Sequence, residues 1–328
     1  MEKLVTFAIP CYNSAAYMDK CVQSLIDACA PEQDFEIIIV DDGSQKDDTP
    51  AKADAWQAKC PGIVRAVHQE NGGHGAAVLV GLAAAQGMYY KVVDSDDWVD
   101  RDAVQTLLAD VRSLVAKGEI VDLFISNYVY EHVEDNTQKS VGYCSVLPEG
   151  RVFTWDEMGK FRIDQNLLMH SLLYRTEVLR DGGVPLPRCK KLFYRDVDLY
   201  RYFIGRQDQS VNEKVMVSRY RQQLRISKIM FEALHLYDEV ESQPLRAYML
   251  NYLTMMMAIS SLFGHMSDEP ESDQLVDELW RDLKAFDERM YNHARHNFLG
   301  VGTNLPGKVG KRLTAALYRT ARKIFKFN

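Results

Sequence analysis

The sequence predicts an α/β fold built on a doubly wound, mainly parallel sheet and followed by a helical C-terminal extension. Three observations lead to this prediction. Short apolar runs alternate with helix-like segments through the first third of the chain, as in β–α–β units. The run at residues 35–40 is predominantly apolar, as expected of a parallel strand covered on both faces. Polar clusters follow four of the runs, and doubly wound sheets bind ligands beyond the carboxyl ends of their strands.

The first third of the chain divides into four strands and three helices. The first helix has an apolar stripe at i+4 spacing, and Asn13 or Ser14 is expected to cap it. Thr49 and Pro50 suit the cap and the first residue of the second helix. The Ala-rich stretch at 74–85 predicts the third helix. The strands are expected at residues 4–9, 35–40, 63–67 and 88–93.

Beyond the fourth strand the pattern is less regular. Residues 122–133 predict another strand, with 141–146 as its hairpin partner, and Thr154 can cap a short helix that ends at Met158. Residues 169–175 predict a further strand. From Arg219 onward the apolar spacing is helical, and the Met-rich stretch at 250–263 is more typical of packing than of a cofactor site.

Four polar clusters stand at the predicted strand ends. An ordinary turn would explain each cluster alone, whereas four clusters in one crevice indicate a binding site. The sequence has no GxGxxG after the first strand and no GxxxxGK[ST], which argues against a dinucleotide site and a P-loop. The clusters are Pro10-Cys11-Tyr12-Asn13, Asp41-Asp42-Gly43-Ser44, Gln69-Glu70-Asn71-Gly72-Gly73-His74-Gly75 and Asp94-Ser95-Asp96-Asp97.

The fourth cluster suggests a metal site. On an extended backbone, side chains two residues apart point the same way, so Asp94 and Asp96 would converge while Ser95 turns aside. Carboxylate oxygens suit Mg²⁺ or Mn²⁺, and Mg²⁺ commonly combines one or two carboxylates with substrate phosphates. The alternative is a solvated cluster in which Asp97 or Asp100 caps a helix that begins near residue 101.

Composition narrows the function class. The 328 residues are 47% hydrophobic and carry a net charge of −7, but the last 21 residues hold seven Lys or Arg and no acid. The rest of the chain is therefore acidic, which argues against a nucleic-acid partner. The six cysteines form no CxxC pair, which indicates reduced thiols in a cytosolic protein and argues against zinc. We expect neither a signal peptide nor a transmembrane helix.

The four clusters resemble family 2 glycosyltransferases, which have the GT-A fold. The resemblance covers residues 1 to about 130 in order and spacing. It implies a UDP-sugar donor and a divalent metal, Mg²⁺ or Mn²⁺, held by Asp96 and Asp94. A metal would neutralise the charge that develops on the diphosphate leaving group. By the same resemblance, the nucleoside and sugar of the donor would contact Pro10, Tyr12, Asn13, Asp41, Asp42, Gly72, Gly73, Gly75, Asp94 and Ser95.

The segment from Asp198 to Glu213 resembles a stretch found after the catalytic region in a bacterial subgroup of this family. Arg201 and Arg206 are therefore candidates for diphosphate contacts, because guanidinium groups pair bidentately with phosphate oxygens. A surface salt bridge is the alternative. His170 falls in a segment that resembles the family's next strand, which faces the acceptor. It is expected either to contact substrate or to be a packed histidine.

One departure from the family concerns the catalytic base. An inverting enzyme needs a carboxylate to deprotonate the acceptor hydroxyl. The family carries it after the His170 strand, where this chain runs almost directly from residue 183 into the later segment. Three explanations stay open: a base supplied by Asp196 or Asp181, a natural loss of activity, or a loop absent from this sequence.

The chain is thus expected to comprise a catalytic domain at 1–218, a helical region at 219–306 and a basic tail helix at 307–328. The tail suits an anionic membrane surface at the inner face of the cell membrane. Alternatively, its apolar stripe covers the acidic body or a partner subunit of a homo-oligomer.

The resemblance implies inverting transfer of a hexose or N-acetylhexosamine from a UDP-sugar to a glycan or lipid-linked acceptor in envelope or exopolysaccharide synthesis. A nucleotidyltransferase and a non-catalytic nucleotide-sugar-binding scaffold are the alternatives.

Overall fold

The structure is a computed structural model that describes residues 3–30, 34–132, 136–162, 165–205 and 213–305, with 307, 309, 310, 313, 314, 316, 318 and 319 beyond them. The chain divides into two compact units, Met1–Ile204 and Gly205–Asn328. The domain ends expected from the sequence at 218 and 306 stay predictions.

The first unit is an α/β layer structure around a ten-stranded sheet. Its helices are α1 (Met18–Cys29), α2 (Thr49–Lys59), α3 (His74–Ala84), α4 (Arg101–Ala116) and α5 (Thr176–Arg180). Short 3₁₀ turns occur at Trp155–Glu157, Met169–Ser171 and Leu186–Arg188. The strands are β1 (Val5–Cys11), β2 (Phe35–Asp42), β3 (Val64–Gln69), β4 (Tyr89–Val92), β5 (Trp98–Val99), β6 (Leu123–His132), β7 (Thr137–Val141), β8 (Val152–Phe153), β9 (Leu172–Arg175) and β10 (Leu192–Ile204).

The strand order is β3-β2-β1-β4-β9-β6-β10-β5, with β7 paired to β6 and β8 to β10. Strands β1 to β4 are parallel to their neighbours within that group, and β6 and β10 are parallel to each other. Strand β9 is antiparallel to both β4 and β6, so the carboxyl ends of β4, β6 and β10 lie at the same edge. The predicted doubly wound, mainly parallel sheet is confirmed.

Two predicted helix starts are wrong. Helix α1 begins at Met18 rather than after Asn13 or Ser14, because those two residues bond to other strand-end loops. Thr49 is the first residue of α2 rather than its cap, and its hydroxyl accepts from the Ser14 backbone at 2.7 Å. The alternative cap proposed for α4 is confirmed, since the Asp100 side chain accepts from the Ala103 backbone.

The predicted hairpin partner of the long middle strand is also wrong. Residues 137–141, not 141–146, pair with β6 as β7. Four of the five β7 residues are exposed and polar, so the segment carries no apolar signal that a sequence pattern could detect. The short helical turn after Thr154 is confirmed, with the Thr154 backbone donating to Glu157 at 3.0 Å.

The second unit is helical among its described residues, as predicted. The Met-rich helix lies at its centre with Met257 fully buried, which confirms a packing role. No described helix is both long and apolar enough to cross a membrane. The tail-helix prediction falls mostly on positions outside the described residues. The helices are α6 (Glu213–Ser218), α7 (Tyr220–Glu232), α8 (Leu236–Glu239), α9 (Gln243–Met266), α10 (Ser272–Phe286), α11 (Glu288–Arg295) and α12 (Phe298–Thr303).

Candidate functional site

The loops after β1, β2 and β4 are joined to one another by side-chain hydrogen bonds. Asn13 has φ +50°, a conformation that asparagine tolerates better than most residues. Its Oδ1 accepts from the backbone of Gln45 at 3.2 Å and of Lys46 at 3.0 Å. The Ser95 hydroxyl donates to the Ser14 hydroxyl at 2.8 Å. Three strand ends that are distant in sequence therefore form one connected rim.

Asp42 holds the glycine-rich loop that follows β3. Its buried carboxylate accepts from the backbone N–H groups of Gly72 and Gly73, both at 2.8 Å, and from Gln69 Nε2 at 2.6 Å. Gly73 has φ +87°, which favours glycine. A side chain at Gly75 would meet no atom within 4 Å, so the loop presents an open backbone surface. The predicted donor contacts of Asp42 and the three glycines stay predictions.

Asp41 is buried at the end of β2 and is held from two sides. Its Oδ1 accepts from the Ser44 backbone at 3.1 Å, and its Oδ2 lies 3.1 Å from His68 Nδ1. His68 Nε2 lies 3.1 Å from Asp54 on α2. The hydrogen bonds to Asp41 and Asp54 raise the pKa of His68, because both carboxylates favour the imidazolium.

This arrangement makes part of the stability pH-dependent. A histidine whose pKa is raised by folding stabilises the fold fully below its unfolded pKa, about 6.5, and loses that effect as pH rises through the folded value. We expect His68→Gln to lower the unfolding free energy by about 1 kcal/mol or less at pH 5.5, since the ring is 41% exposed. The difference from wild type should shrink by pH 8.5. Urea unfolding at both pH values checks this, and a gap that widens with pH would contradict it.

Tyr12 and Pro10, at the end of β1, complete this rim. The Tyr12 side chain is 52% exposed just after β1, although large apolar side chains are usually buried. Pro10 lies within β1, paired in register with Val40 of β2. An exposed ring beside the Asp41 loop is available to stack on a flat base.

The acidic cluster is a turn rather than an extended segment. The backbone of Asp97 donates to the Asp94 carbonyl at 3.0 Å, which closes a turn over Ser95 and Asp96. The extended backbone expected for this cluster is therefore wrong, and the convergence of the Asp94 and Asp96 carboxylates stays a prediction. Asp96 is half-buried, and its metal role stays a prediction.

Asp94 is flanked by two histidines. His74 Nε2 lies 2.9 Å from Oδ1, and His170 Nε2 lies 3.8 Å from Oδ2. Burial by itself would raise the pKa of Asp94, but the two imidazoles outweigh burial and hold that pKa well below its usual range. The hydrogen bond that His74 donates to Asp94 in turn raises the pKa of His74. Asp94 is therefore ionised at neutral pH.

Asp97 has a different environment. Tyr200 donates its hydroxyl to Oδ2 at 2.6 Å, and the Phe203 backbone donates to Oδ1 at 2.8 Å. Burial first, then the charges of Asp96 and Asp94, raise the pKa of Asp97 to about 9. Ligand atoms of Asp94, Asp97 and His170 lie within 4.8 Å of one another. The ionised Asp94 fits a divalent cation, whereas both oxygens of Asp97 already accept hydrogen bonds.

His170 lies within a cluster of aromatic rings. Its imidazole stacks on Tyr200 at 4.5 Å and on Tyr202 at 4.6 Å, and it meets Tyr128 edge-on at 5.7 Å. The buried Lys91 ammonium donates to the His170 carbonyl at 2.7 Å, and burial lowers the pKa of Lys91 to about 7. Within the part of the chain that the structure describes, His170 Nδ1 is buried without a hydrogen-bond partner. His170 is thus packed, as the sequence alternative expected, yet one ring nitrogen is unsatisfied.

The two carboxylates considered as bases lie apart from Asp94. Asp196 accepts from Asn127 Nδ2 at 2.7 Å and from the Tyr194 hydroxyl at 2.8 Å. A β-bulge in β10 pairs Asp198 with Asn127 but Tyr200 with Tyr128. Because neighbouring strand residues alternate between faces, the Asp196 contacts lie on the face opposite Tyr200 and His170.

Asp181 follows α5 and forms an ion pair with Arg188. Neither Asp181 nor Asp196 belongs to the group formed by Asp94, Asp97 and His170. A catalytic role for either carboxylate stays a prediction.

Arg201 forms the salt bridges that were the alternative to a diphosphate contact. Its guanidinium contacts Asp100 at 2.9 Å and Glu131 at 3.2 Å. To contact a diphosphate, Arg201 would have to exchange these two carboxylate partners for phosphate oxygens. The diphosphate role of Arg201 stays a prediction. Arg206 lies outside the described residues.

Sequence reasoning missed three residues of the site. His74 stands inside the glycine-rich cluster and could have been selected as a polar side chain in that motif. Lys91 and Tyr200 lie on strands without any local signal, because their partners are far away in the sequence.

The chain is similar to known proteins in sequence and in fold. A family model described as "Glycosyl transferase family 2" matches residues 6–178, more than half of the chain. GlyG, a glycosyltransferase of Streptococcus pneumoniae, is 36% identical over 42% of this chain and 43% of its own length. EpsH of Bacillus subtilis, also named as a glycosyltransferase, is 32% identical over 47% of this chain and 46% of its own length. The chain thus spans less than half the length of these curated relatives.

Solved structures agree on the fold. The crystal structure of S. aureus TarS 1–349 matches with a TM-score of 0.60 and 17% identity, covering 97% of this chain and 92% of that chain. The mannosyltransferase PcManGT from Pyrobaculum calidifontis, solved with GDP-Man and Mn²⁺, matches with a TM-score of 0.53 and 13% identity over 100% of this chain and 89% of its own. The predicted GT-A fold is therefore confirmed, and the family match over residues 6–178 shows that the chain belongs to glycosyl transferase family 2.

Proposed function

We propose that the chain transfers a hexose or N-acetylhexosamine from a UDP-sugar to a glycan or lipid-linked acceptor, with inversion at the anomeric carbon. The observation that carries this proposal is the ionised Asp94 at the end of β4, beside a rim of three connected strand-end loops. TarS has been solved with UDP and with UDP-GlcNAc, which supports a uridine donor. A relative named chondroitin synthase supports a glycan product.

The donor would lie along the rim. Tyr12 offers an exposed ring to the base, and Asp41 offers a buried carboxylate that Ser44 and His68 hold in place. Asp42 keeps the glycine loop in one conformation, so backbone N–H groups are fixed before the donor arrives. Fixed groups bind with a smaller loss of conformational entropy.

A divalent cation fits beside Asp94. Asp94 and Asp96 would hold it with oxygen ligands, in the mixed carboxylate and phosphate coordination that Mg²⁺ and Mn²⁺ accept. Bound there, the cation would supply positive charge to the departing diphosphate. His74 also contributes here, because its hydrogen bond orients the Asp94 carboxylate.

A second candidate function is a nucleotide-sugar-binding scaffold without transfer activity. It is favoured by the positions of Asp181 and Asp196, since neither lies with the Asp94 group. Membrane association through residues 308–328 remains a prediction from the sequence pattern.

The test of the donor site is calorimetry with UDP, GDP and CDP in the presence of Mn²⁺. We expect UDP to bind most tightly. Tyr12→Ala should weaken UDP binding by about 1–3 kcal/mol, the usual contribution of one stacked base. Tyr17→Ala is the matched control, because Tyr17 is also partly exposed but contacts Phe203. Absence of any nucleotide binding, or equal losses in both variants, would contradict the donor site.

A further inference from the structure

Strands β6 and β10 extend well beyond the end of β4. Leu123 and Tyr90 both pair with Tyr174 of β9, so they stand at the same level of the sheet. From that level β4 ends at Val92, while β6 continues to His132. At about 3.3 Å per residue, β6 therefore projects roughly 20 Å past β4. Strand β10 pairs with β6 as far as Ile204, in unbroken register from Tyr200 onward.

The projecting part carries a row of rings on one face, which we call the aromatic row: Tyr128, Tyr130, Tyr200 and Tyr202. Tyr200 pairs with Tyr128 and Tyr202 with Tyr130, and paired residues share a face. The rings touch, with centroids 5.2 Å apart between Tyr128 and Tyr130 and 5.6 Å apart between Tyr130 and Tyr202. The rings are therefore in contact from Tyr128 through Tyr130 to Tyr202, and His170 links Tyr200 to them.

The inner end of the aromatic row contacts the acidic cluster. The Tyr200 hydroxyl accepts from the Asp94 backbone at 3.0 Å and donates to Asp97. His170 covers part of both Tyr200 and Tyr202. The outer rings differ from the inner ones, because Tyr128 and Tyr200 are buried whereas Tyr130 and Tyr202 keep part of their surface exposed. A ligand held at Asp94 would thus have accessible rings beside it.

The aromatic row also lies on the opposite side of β4 from the donor loops. In the sheet order, β3, β2 and β1 stand on one side of β4, and β6 and β10 stand on the other. The Asp94 cluster lies between the two flanks. In a group-transfer site the acceptor must bind next to the donor, on the side of β4 that the donor leaves free.

We propose that Tyr130 and Tyr202 form the acceptor subsite and bind a pyranose ring of a glycan acceptor by stacking. This inference rests on the proposed function. A pyranose presents a patch of C–H groups on one face, and this patch packs on an aromatic ring. An acyclic polyol phosphate has no such face, and it would instead use positive charge. Lys139 provides that charge on the same face, paired with Tyr130.

The experiment uses the full chain with UDP and Mn²⁺ on an array of immobilised neutral pyranose oligosaccharides and poly(ribitol phosphate). We expect binding to at least one pyranose oligosaccharide. The Tyr130→Ala/Tyr202→Ala variant should lose at least tenfold in affinity. Tyr202→Phe should stay within about twofold of wild type, because the ring remains. If the double alanine variant folds poorly, Tyr202→Leu replaces it as the test, because leucine keeps apolar volume without a ring. Tyr202→Leu should then show the loss of affinity expected for the alanine variant.

Two controls separate this inference from the proposed function. UDP affinity, measured by calorimetry, should be unchanged in every variant, and Lys139→Ala should not alter pyranose binding. If UDP binds but no pyranose does, or if the ring-free variants bind as wild type, the acceptor subsite is wrong and the donor assignment stands. Binding of poly(ribitol phosphate) that disappears in Lys139→Ala would also overturn it. Failure of wild type to bind UDP would instead contradict the proposed function.

Discussion

Replacing Asp96 with alanine should abolish the gain in UDP affinity that Mn²⁺ gives to the wild-type chain. The expected loss is at least tenfold, or about 1.4 kcal/mol. Asp96 adjoins the ionised Asp94 in the turn after β4, and it keeps part of its surface exposed. Calorimetry with UDP, with and without Mn²⁺, measures the coupling directly. The fold should be retained, because a half-buried turn residue makes few packing contacts.

Asp97→Asn is the matched control for this prediction. Asp97 differs from Asp96 in being fully buried, with Tyr200 and Phe203 donating to its two oxygens. An asparagine of the same shape should therefore leave the Mn²⁺ dependence of UDP binding intact. The opposite result would be loss of the Mn²⁺ dependence of UDP binding in Asp97→Asn and its retention in Asp96→Ala. That result would assign the cation to the group formed by Asp94, Asp97 and His170.

Weak sugar transfer despite normal donor binding is the second large effect that we expect. A positioned general base contributes about 10²–10⁴ to the rate. Typical enzymes turn over at about 10 s⁻¹, so a chain without that base should stay below about 0.1 s⁻¹. Asp181 is exposed and paired with Arg188, and Asp196 accepts hydrogen bonds on the opposite face of the sheet. Neither belongs to the group formed by Asp94, Asp97 and His170, beside which we expect the acceptor to bind.

The measurement is UDP release and product formation with saturating UDP-sugar and the pyranose acceptors described above. Asp181→Asn and Asp196→Asn should leave the residual rate unchanged within about twofold. Fast turnover that either substitution removes would identify the base and refute this expectation. Fast turnover that survives both substitutions would place the base on another residue.

Much of the fold could be predicted because its signals are local. A strand buried on both faces needs a short, predominantly apolar run, and β2 shows one. The Asp100 cap was recognisable because it bonds to a backbone group three residues away. Strand β7 escaped prediction because its residues are polar and exposed, and its place depends only on pairing with β6.

The candidate site likewise has features that local sequence signals predict and features that depend on the folded structure. The four clusters predicted that the strand ends would form a polar crevice, and the rim that joins Asn13, Ser14 and Ser95 agrees with this. The clusters could not predict which carboxylate stays ionised. Asp94 and Asp97 are three residues apart, yet folding lowers the pKa of the first and raises the pKa of the second to about 9.

The sequence by itself determined the alternation of strands and helices, the family, and the arrival of the carboxylates at the end of β4. These features depend on residue type and short spacing, which a linear pattern records. The tertiary structure alone decided that Tyr200 bonds to Asp97 and that a bulge separates Asp196 from His170. The first contact joins residues 103 positions apart. The second depends on two register shifts in β10, and the shift between Asp198 and Tyr200 reverses which face the later side chains occupy.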